Sequence, residues 1–267
     1  MTVQVKDLNF SYKTENVLKG ISFDASEGAL LCVLGKNGAG KSTLFRCILG
    51  LLKGYRGDIL IDGIAAGRLS ARELAKKISY IPQNHMTVYS YSVLDMVTMG
   101  TTIHLDRFQN PGKRQRAAAE AALEMMNISH LAGRSFRNIS GGEQQLVLIA
   151  RAIAQQTRIL IMDEPCSNLD YGNQIKVMKS VKDLARQGYL VIQSTHNPEH
   201  VFLFADEVLV MLDGKTEAKG PPEDILTEEL LQRVYGIRVN LHEIEKRNLK
   251  FCVPDESEME TDHVGAL

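Results

Sequence analysis

Lys41, Ser42 and Thr43 follow three glycines at a spacing suited to holding phosphate. The run Gly35, Lys36, Asn37, Gly38, Ala39, Gly40, Lys41, Ser42, Thr43 fits the pattern G-x-x-x-x-G-K-[ST]. Its glycines permit backbone angles and close approaches that a Cβ would block. Successive N–H groups can then turn inward around phosphate oxygens, helped by the positive end of a following helix. Lys41 is expected to reach the β- and γ-phosphates, and Ser42 to ligate Mg²⁺. A second pair of reactive side chains, Asp163 and Glu164, ends the apolar run Ile159, Leu160, Ile161, Met162 and precedes Pro165. Two carboxylates at the carboxyl end of a buried strand lie where ligands bind in open α/β sheets. Asp163 suits a Mg²⁺ shell, and Glu164 suits the water beside a γ-phosphate. Taken alone, that pair also reads as a strand that simply ends in charged loop residues.

A third run, Ser140, Gly141, Gly142, Glu143, opens with the capping-box spacing Ser-x-x-Glu. The helix it starts places Leu146, Ile149, Ala150 and Ile153 on one face. Capping explains Ser140 and Glu143 but not two glycines in a first helical turn, where they cost stability. Unobstructed N–H groups behind a Ser cap make a second anion site.

These residues need elements to position them. Residues 29–34 form an apolar run before the glycine loop and read as a strand, and residues 44–49 carry helical spacing after it. Residues 3–12 and 18–24 alternate as strands around a turn at 13–16. Residues 58–61 read as a strand before a turn at Asp62 and Gly63, 70–77 as a helix, and 78–81 as a short strand stopped by Pro82. From about 84 to 155 strand signals vanish, and an Ala-rich helical pattern covers 113–126. Strands return at 159–162 and 190–192, with a helix over 172–186 between them, which implies a parallel sheet. Residues 207–212 and 215–218 bracket a hairpin turn at Asp213 and Gly214. Residues 255–262 carry five acids and no base and read as a solvated, disordered end. No internal repeat is found.

Composition bounds the class. With 267 residues, 44% hydrophobic and 24% charged, the chain is an ordinary globular protein of one large domain or a core with a subdomain. A net charge of −1 gives no bulk attraction to nucleic acid or anionic membrane, and no nucleic-acid partner is expected. No apolar run approaches the roughly 18 residues of a spanning helix, and the first residues have no signal-peptide pattern. Cys32, Cys47, Cys166 and Cys252 form no Cys-x-x-Cys pair, and the first two fall in core elements as small hydrophobes. The expectation is a cytoplasmic protein.

The Ser140, Gly141, Gly142, Glu143, Gln144 run resembles the signature motif of ATP-binding cassette (ABC) proteins, and the likeness extends over residues 1 to about 240. Tyr12 falls where that family stacks an aromatic on adenine. Gln83, after Ile81 and Pro82, matches the Q-loop glutamine, which serves at the metal and the attacking water. Ser167, Asn168, Leu169 and Asp170 match the D-loop, and His196 matches the switch histidine. Taken singly, a Tyr near a strand end is packing, a Gln before a loop is solvated and a lone His is structural. The order of seven motifs carries the likeness. There are departures. Ile139 stands for the usual Leu, Glu143 for the commoner Gln, and Cys166 for Thr or Ser, the last reading as a buried, unreactive thiol.

The resemblance implies an α/β fold: a P-loop NTPase (RecA-like) core with a parallel sheet, an N-terminal antiparallel β subdomain and an inserted α-helical subdomain. It divides the chain into an ATPase domain over 1–240, with core segments of about 1–84 and 156–240 around helices at about 85–155, and an extension over 241–267. It implies ATP and Mg²⁺ as cofactors and hydrolysis of ATP. One phosphate loop and one signature per chain imply a head-to-tail pair of chains with two ATP molecules between them. The further partners implied are integral membrane permease subunits and, indirectly, an extracytoplasmic substrate-binding protein, with this chain peripheral on the inner face of the membrane. Residues 84–93 fall at the permease contact, where Met86, Val88, Tyr89 and Tyr91 suit an interface or, equally, packing within the helical part. Residues 72–83, 145–152, 168–174 and 231–238 look like the ATPases of iron–siderophore, haem and cobalamin importers, with molybdate or tungstate importers as near neighbours. Two other classes fit less well. A guanine-nucleotide switch lacks its Asn-Lys-x-Asp motif here, and a soluble repair or translation ABC ATPase lacks its coiled coil or second cassette.

Overall fold

The computed structural model describes residues 1–83, 90–106, 109–244 and 249–255. Its centre is a six-stranded sheet of order β10-β9-β3-β8-β7-β6. These strands are β3 (Leu30–Leu34), β6 (Ile78–Ile81), β7 (Ile159–Met162), β8 (Leu190–Thr195), β9 (Glu207–Leu212) and β10 (Lys215–Gly220). All pair in parallel except the β9–β10 hairpin. A second, antiparallel sheet has the order β2-β1-β4-β5, from β1 (Thr2–Tyr12), β2 (Glu15–Ser26), β4 (Arg56–Ile61) and β5 (Ile64–Ala65). A third pairs β11 (Val239–Ile244) with β12 (Leu249–Pro254).

The parallel strands are apolar without alternation because both faces are covered. On β3, Leu30, Cys32 and Leu34 enter one core, while Leu31 and Val33 enter the other. On β7, Leu160 and Met162 face the first core, and Ile159 and Ile161 the second. The second core is closed by α1 (Lys41–Ile48), α2 (Ala71–Ala75) and the antiparallel sheet. The first is closed by α3 (Val93–Thr98), α4 (Lys113–Met125), α5 (Gly141–Ala154), α6 (Tyr171–Arg186), α7 (Pro198–Phe204), α8 (Pro222–Ile225) and α9 (Glu228–Tyr235). Within it α3, α4 and α5 pack on one another, as the Ala-rich pattern over 113–126 leads one to expect.

The structure moves several element ends. β2 starts at Glu15 and not at 18, because the hairpin ladder runs on to the Tyr12–Glu15 pair. The first helix starts at Lys41 and not at 44, with Gly40 in the left-handed region (φ 97°) as its cap residue. β8 runs three residues past 192, to Thr195. The β11–β12 hairpin, absent from the sequence reading, packs β12 against α7. Asp255, the first residue of the acidic run, is tied to that hairpin through its backbone N–H to Arg238 O (3.0 Å), while 256–262 lie outside the described residues. Among the described residues, no helix is long and apolar enough to cross a membrane.

Candidate functional site

Four adjacent parallel strands, β3, β8, β7 and β6, deliver the expected site residues at one end of the sheet. β3 runs into the glycine loop, β8 into His196, β7 into Asp163 and Glu164, and β6 into Gln83. Parallel register makes their carboxyl ends coincide.

In the glycine loop, a Cβ on Gly35 would come 2.5 Å from the carbonyl oxygen of Met211, so β9 packs on backbone there. Ala39 is buried and Ser42 half-buried, while Lys36, Asn37 and Gly38 face solvent. Thr43, in α1, is buried. The Lys41 ammonium, only 5% exposed, donates to Gly35 O (2.7 Å) and Lys36 O (3.3 Å) and lies 3.3 Å from Glu164 Oε1. It is therefore held across the mouth of the loop, where an incoming phosphate oxygen would meet it.

Glu164 gathers the rest. Gln83 Nε2 donates to its Oε2 (3.2 Å), and His196 Nδ1 lies 3.3 Å from the same oxygen. Its backbone sits in the left-handed region (φ 46°), an unusual state for a non-glycine residue and one that recurs at functional sites. The Glu164 N–H is anchored on Ser194 Oγ (2.9 Å), and that hydroxyl in turn donates to Asp163 Oδ1 (2.6 Å). Tyr80 also leans on Asp163. Burial, and then the Asp163 charge, push its phenol up to about 12. Ser194 and Tyr80 were not singled out by sequence reasoning. A hydroxyl on the strand beside one ending in two acids is the only signal Ser194 offers.

Hard oxygen donors at Ser42 and Asp163 suit Mg²⁺. Among the described residues, no group of three or more His, Cys, Asp or Glu could hold a metal. A cation here would rest on those two side chains, with Gln83 beside them, and on oxygens of a bound nucleotide. Tyr12 ends β1 with its ring edge-on to Phe10 (4.9 Å between centroids) and is 39% exposed. Its hairpin leans on the loop: Leu18 Cδ2 would lie 3.0 Å from a Cβ on Gly40. Cys166 is buried, and that burial pushes its thiol up to about 12, so it is the inert thiol expected.

Ser140, Gly141, Gly142, Glu143 and Asp170 form a separate group. Ser140 and Glu143 make the capping box reciprocally, Ser140 N donating to Glu143 Oε2 (2.8 Å) and Glu143 N to Ser140 Oγ (3.3 Å). The Ser140 N–H, and then the Ser140 hydroxyl donating to the same Oε2 (2.8 Å), hold the Glu143 carboxyl below its usual range. Asp170 caps α6, accepting from Asn173 N (2.9 Å) and Asn173 Nδ2 (2.6 Å). A Cβ on Gly142 would fall 2.5 to 2.9 Å from the Oδ1, Cγ and Cβ of that asparagine. Packing thus supplies a reason for the second glycine that capping did not. A Cβ on Gly141 would meet only Leu169 Cδ2, at 3.4 Å, and the residue stays exposed. Among the described residues, no hydrogen bond or ion pair joins this group to Glu164. The expected site residues thus fall into two separate groups.

The ABC transporter family model matches residues 18–167. The chain belongs to the ABC transporter family. It is an ATP-binding subunit of the kind that hydrolyses ATP to power transport. An ABC transporter ATP-binding protein of Haemophilus influenzae is 41% identical over 235 residues, 88% of this chain and 89% of that one. The molybdate import ATP-binding protein MolC of the same organism is 37% identical over 237 residues, 88% of each chain. The hemin import ATP-binding protein HmuV of Rhizobium meliloti is 30% identical over 265 residues, 96% of this chain and 100% of that one. Further relatives of this ABC ATPase are named for cobalamin import in Halobacterium salinarum (32% identical) and ferric enterobactin transport in Escherichia coli (31%). Among solved structures, an inward-facing transporter assigned to the metal-chelate type superposes with a TM-score of 0.85 at 32% identity, covering 97% of this chain and 98% of that one.

Proposed function

We propose that this ABC ATPase energises import of a metal chelate: an iron–siderophore, haem or cobalamin complex. The observation that carries the enzymatic part is the convergence of Lys41, Gln83 and His196 on the one carboxylate of Glu164. A bound Mg–ATP supplies the phosphoanhydride and the charge that the metal neutralises. Lys41 leaves Glu164 for the phosphate oxygens. Glu164, released from its ion pair, orients the attacking water and takes its proton. His196 and Gln83 hold that carboxylate and the water in place, and Asp163 with Ser42 would hold the cation. Tyr12 stacks on the base.

The separation of the two groups supports a head-to-tail pair of chains. Ser140, Gly141 and Gly142 of one copy would close on the nucleotide held by Lys41 of the other, with Asp170 beside the seam. The chain then divides into an ATPase domain over 1–240, with its helical part at about 85–155, and an extension from 241. A permease would dock at the helical part. Met86, Val88 and Tyr89 of the expected contact lie outside the described residues, and Tyr91 is 36% exposed just before the cap of α3. This chain would lie peripherally on the inner face of the membrane, its cargo handed to the permease by a binding protein outside.

The cargo reading rests on near full-length likeness to relatives named for hemin and ferric enterobactin, and on a match to 60% of the length of one named for cobalamin. Molybdate is the second reading, favoured by the 37% identity to MolC. Deletion of the gene, followed by uptake of labelled iron chelates, haem, cobalamin and molybdate, tests both. Loss of one of the first three supports the proposal, and loss of molybdate alone selects the second reading. Normal uptake of all four overturns the import assignment.

A further inference from the structure

Gln174, in the first turn of α6, has every polar atom of its amide engaged. Its Nε2 donates to Leu169 O (2.9 Å) and to Cys166 O (3.3 Å), which spans the loop between Glu164 and Asp170. Its Oε1 lies 3.2 Å from His200 Nε2. Both amide hydrogens are spent on carbonyls, so the remaining bond needs a hydrogen on His200 Nε2, and that fixes the ring's donor. His200 is 5% exposed, sits in α7 and follows His196 by four residues. A cavity of about 60 Å³, bounded by Glu164, Gln174, Gln193, His196 and His200 among others, lies beside this bond between α6 and α7. From the outer side, Tyr235 O–H donates to His196 O (2.8 Å).

We infer that Gln174 and His200 form a strut tying residues 166–170 to the His196 loop, and that this strut keeps Glu164, Asp170 and His196 in register when two copies close on nucleotide. They are positioning residues: among the described residues, no hydrogen bond or ion pair joins either to Glu164 or the glycine loop. A buried bond with one end removed leaves the other unsatisfied, and the loop is then free to shift. The inference rests on the ATPase reading above.

The test uses the purified full chain with Mg–ATP, comparing wild type with His200→Leu, Gln174→Met and His200→Gln. The first two should lower kcat about tenfold while the KM for ATP stays within about twofold, because phosphate binding belongs to a different strand. His200→Gln should restore kcat to within about threefold of wild type, since a glutamine N–H can reach Gln174 Oε1. Gln174 is only half-buried. Gln174→Met therefore carries the test if His200→Leu does not fold, with thermal melting as the check. Wild-type kcat in the leucine and methionine variants, or a glutamine variant as slow as the leucine one, overturns the strut. A wild-type chain without ATPase activity overturns the ATPase reading itself.

Discussion

Lys41 and Glu164 neutralise one another across the site, Nζ to Oε1 at 3.3 Å, with the two side chains only 5% and 11% exposed. The cation that should bind phosphate and the carboxylate that should activate water occupy each other until nucleotide separates them. Binding and chemistry are thereby linked through one ion pair, and substitution at its two ends should have opposite signatures.

Glu164→Gln should retain ATP binding and lose turnover by about a hundredfold or more, the range for losing a general base. Lys41→Ala should instead weaken ATP binding by at least about tenfold, through loss of a charge-assisted phosphate contact. Nucleotide affinity measured beside steady-state hydrolysis separates them. Near-normal turnover in Glu164→Gln would remove that residue from the role given to it.

Pairing of chains should depend on nucleotide. The Glu164→Gln chain should be a stable dimer with ATP and largely a monomer without it, as read by light scattering. Ser140→Arg in that background should abolish the dimer by filling the anion site, beyond the ~1 kcal/mol cost of the lost helix cap. A dimer indifferent to Ser140→Arg would refute the composite site.

Gly142→Ala should destabilise the fold by about 1–3 kcal/mol, because its Cβ overlaps the Asn173 side chain and something must yield. Asn173 is what Asp170 holds, so the perturbation should reach the α6 cap. Gly141→Ala, whose Cβ meets only Leu169 at 3.4 Å, should cost little. Chemical denaturation checks both. Equal effects at the two positions would contradict the packing.

Acid should weaken the fold through His200. Burial, and then the neighbouring charge of His196, hold its pKa below the ordinary 6.5. Between that lowered value and 6.5 the unfolded chain binds the proton and the folded chain does not. Stability therefore falls as pH drops through this window and levels off once the folded ring is also protonated. His200→Gln should show a shallower loss of melting temperature between about pH 7 and about pH 5. Parallel profiles for the two proteins would sink this assignment.

Much of this was legible because the chemistry sits on elements with strong local signals. β3 and β7 are unbroken apolar runs that end in motifs, and the capping box at Ser140 announces α5. What escaped depends on contacts remote in sequence. The hairpin of β11 and β12 alternates only briefly, at Val239 to His242, before Phe251, Cys252 and Val253 break the pattern, and it is held by packing on α7. The first turn of α1 is built by the glycine loop itself and not by apolar spacing. The identity of Glu164 could be read from its neighbours in the chain. The fork through which Ser194 fastens both Asp163 and Glu164 arises only when β8 lies beside β7.

The thiol of Cys166 gives the molecule a built-in clock. It is 6% exposed, with Sγ 4.0 Å from Gln174 O, in the loop that Gln174 pins. A maleimide in bulk solution reaches that sulfur only when residues 166–170 lift away, so the rate of alkylation at Cys166 counts those departures. Cys32 and Cys47 are silent, buried in the sheet and α1, and only Cys252, half-buried in β12, adds a background. Mass spectrometry of the unaltered chain could thus time how often the loop opens in the free monomer, and how far a nucleotide-bound pair slows it, without any engineered label.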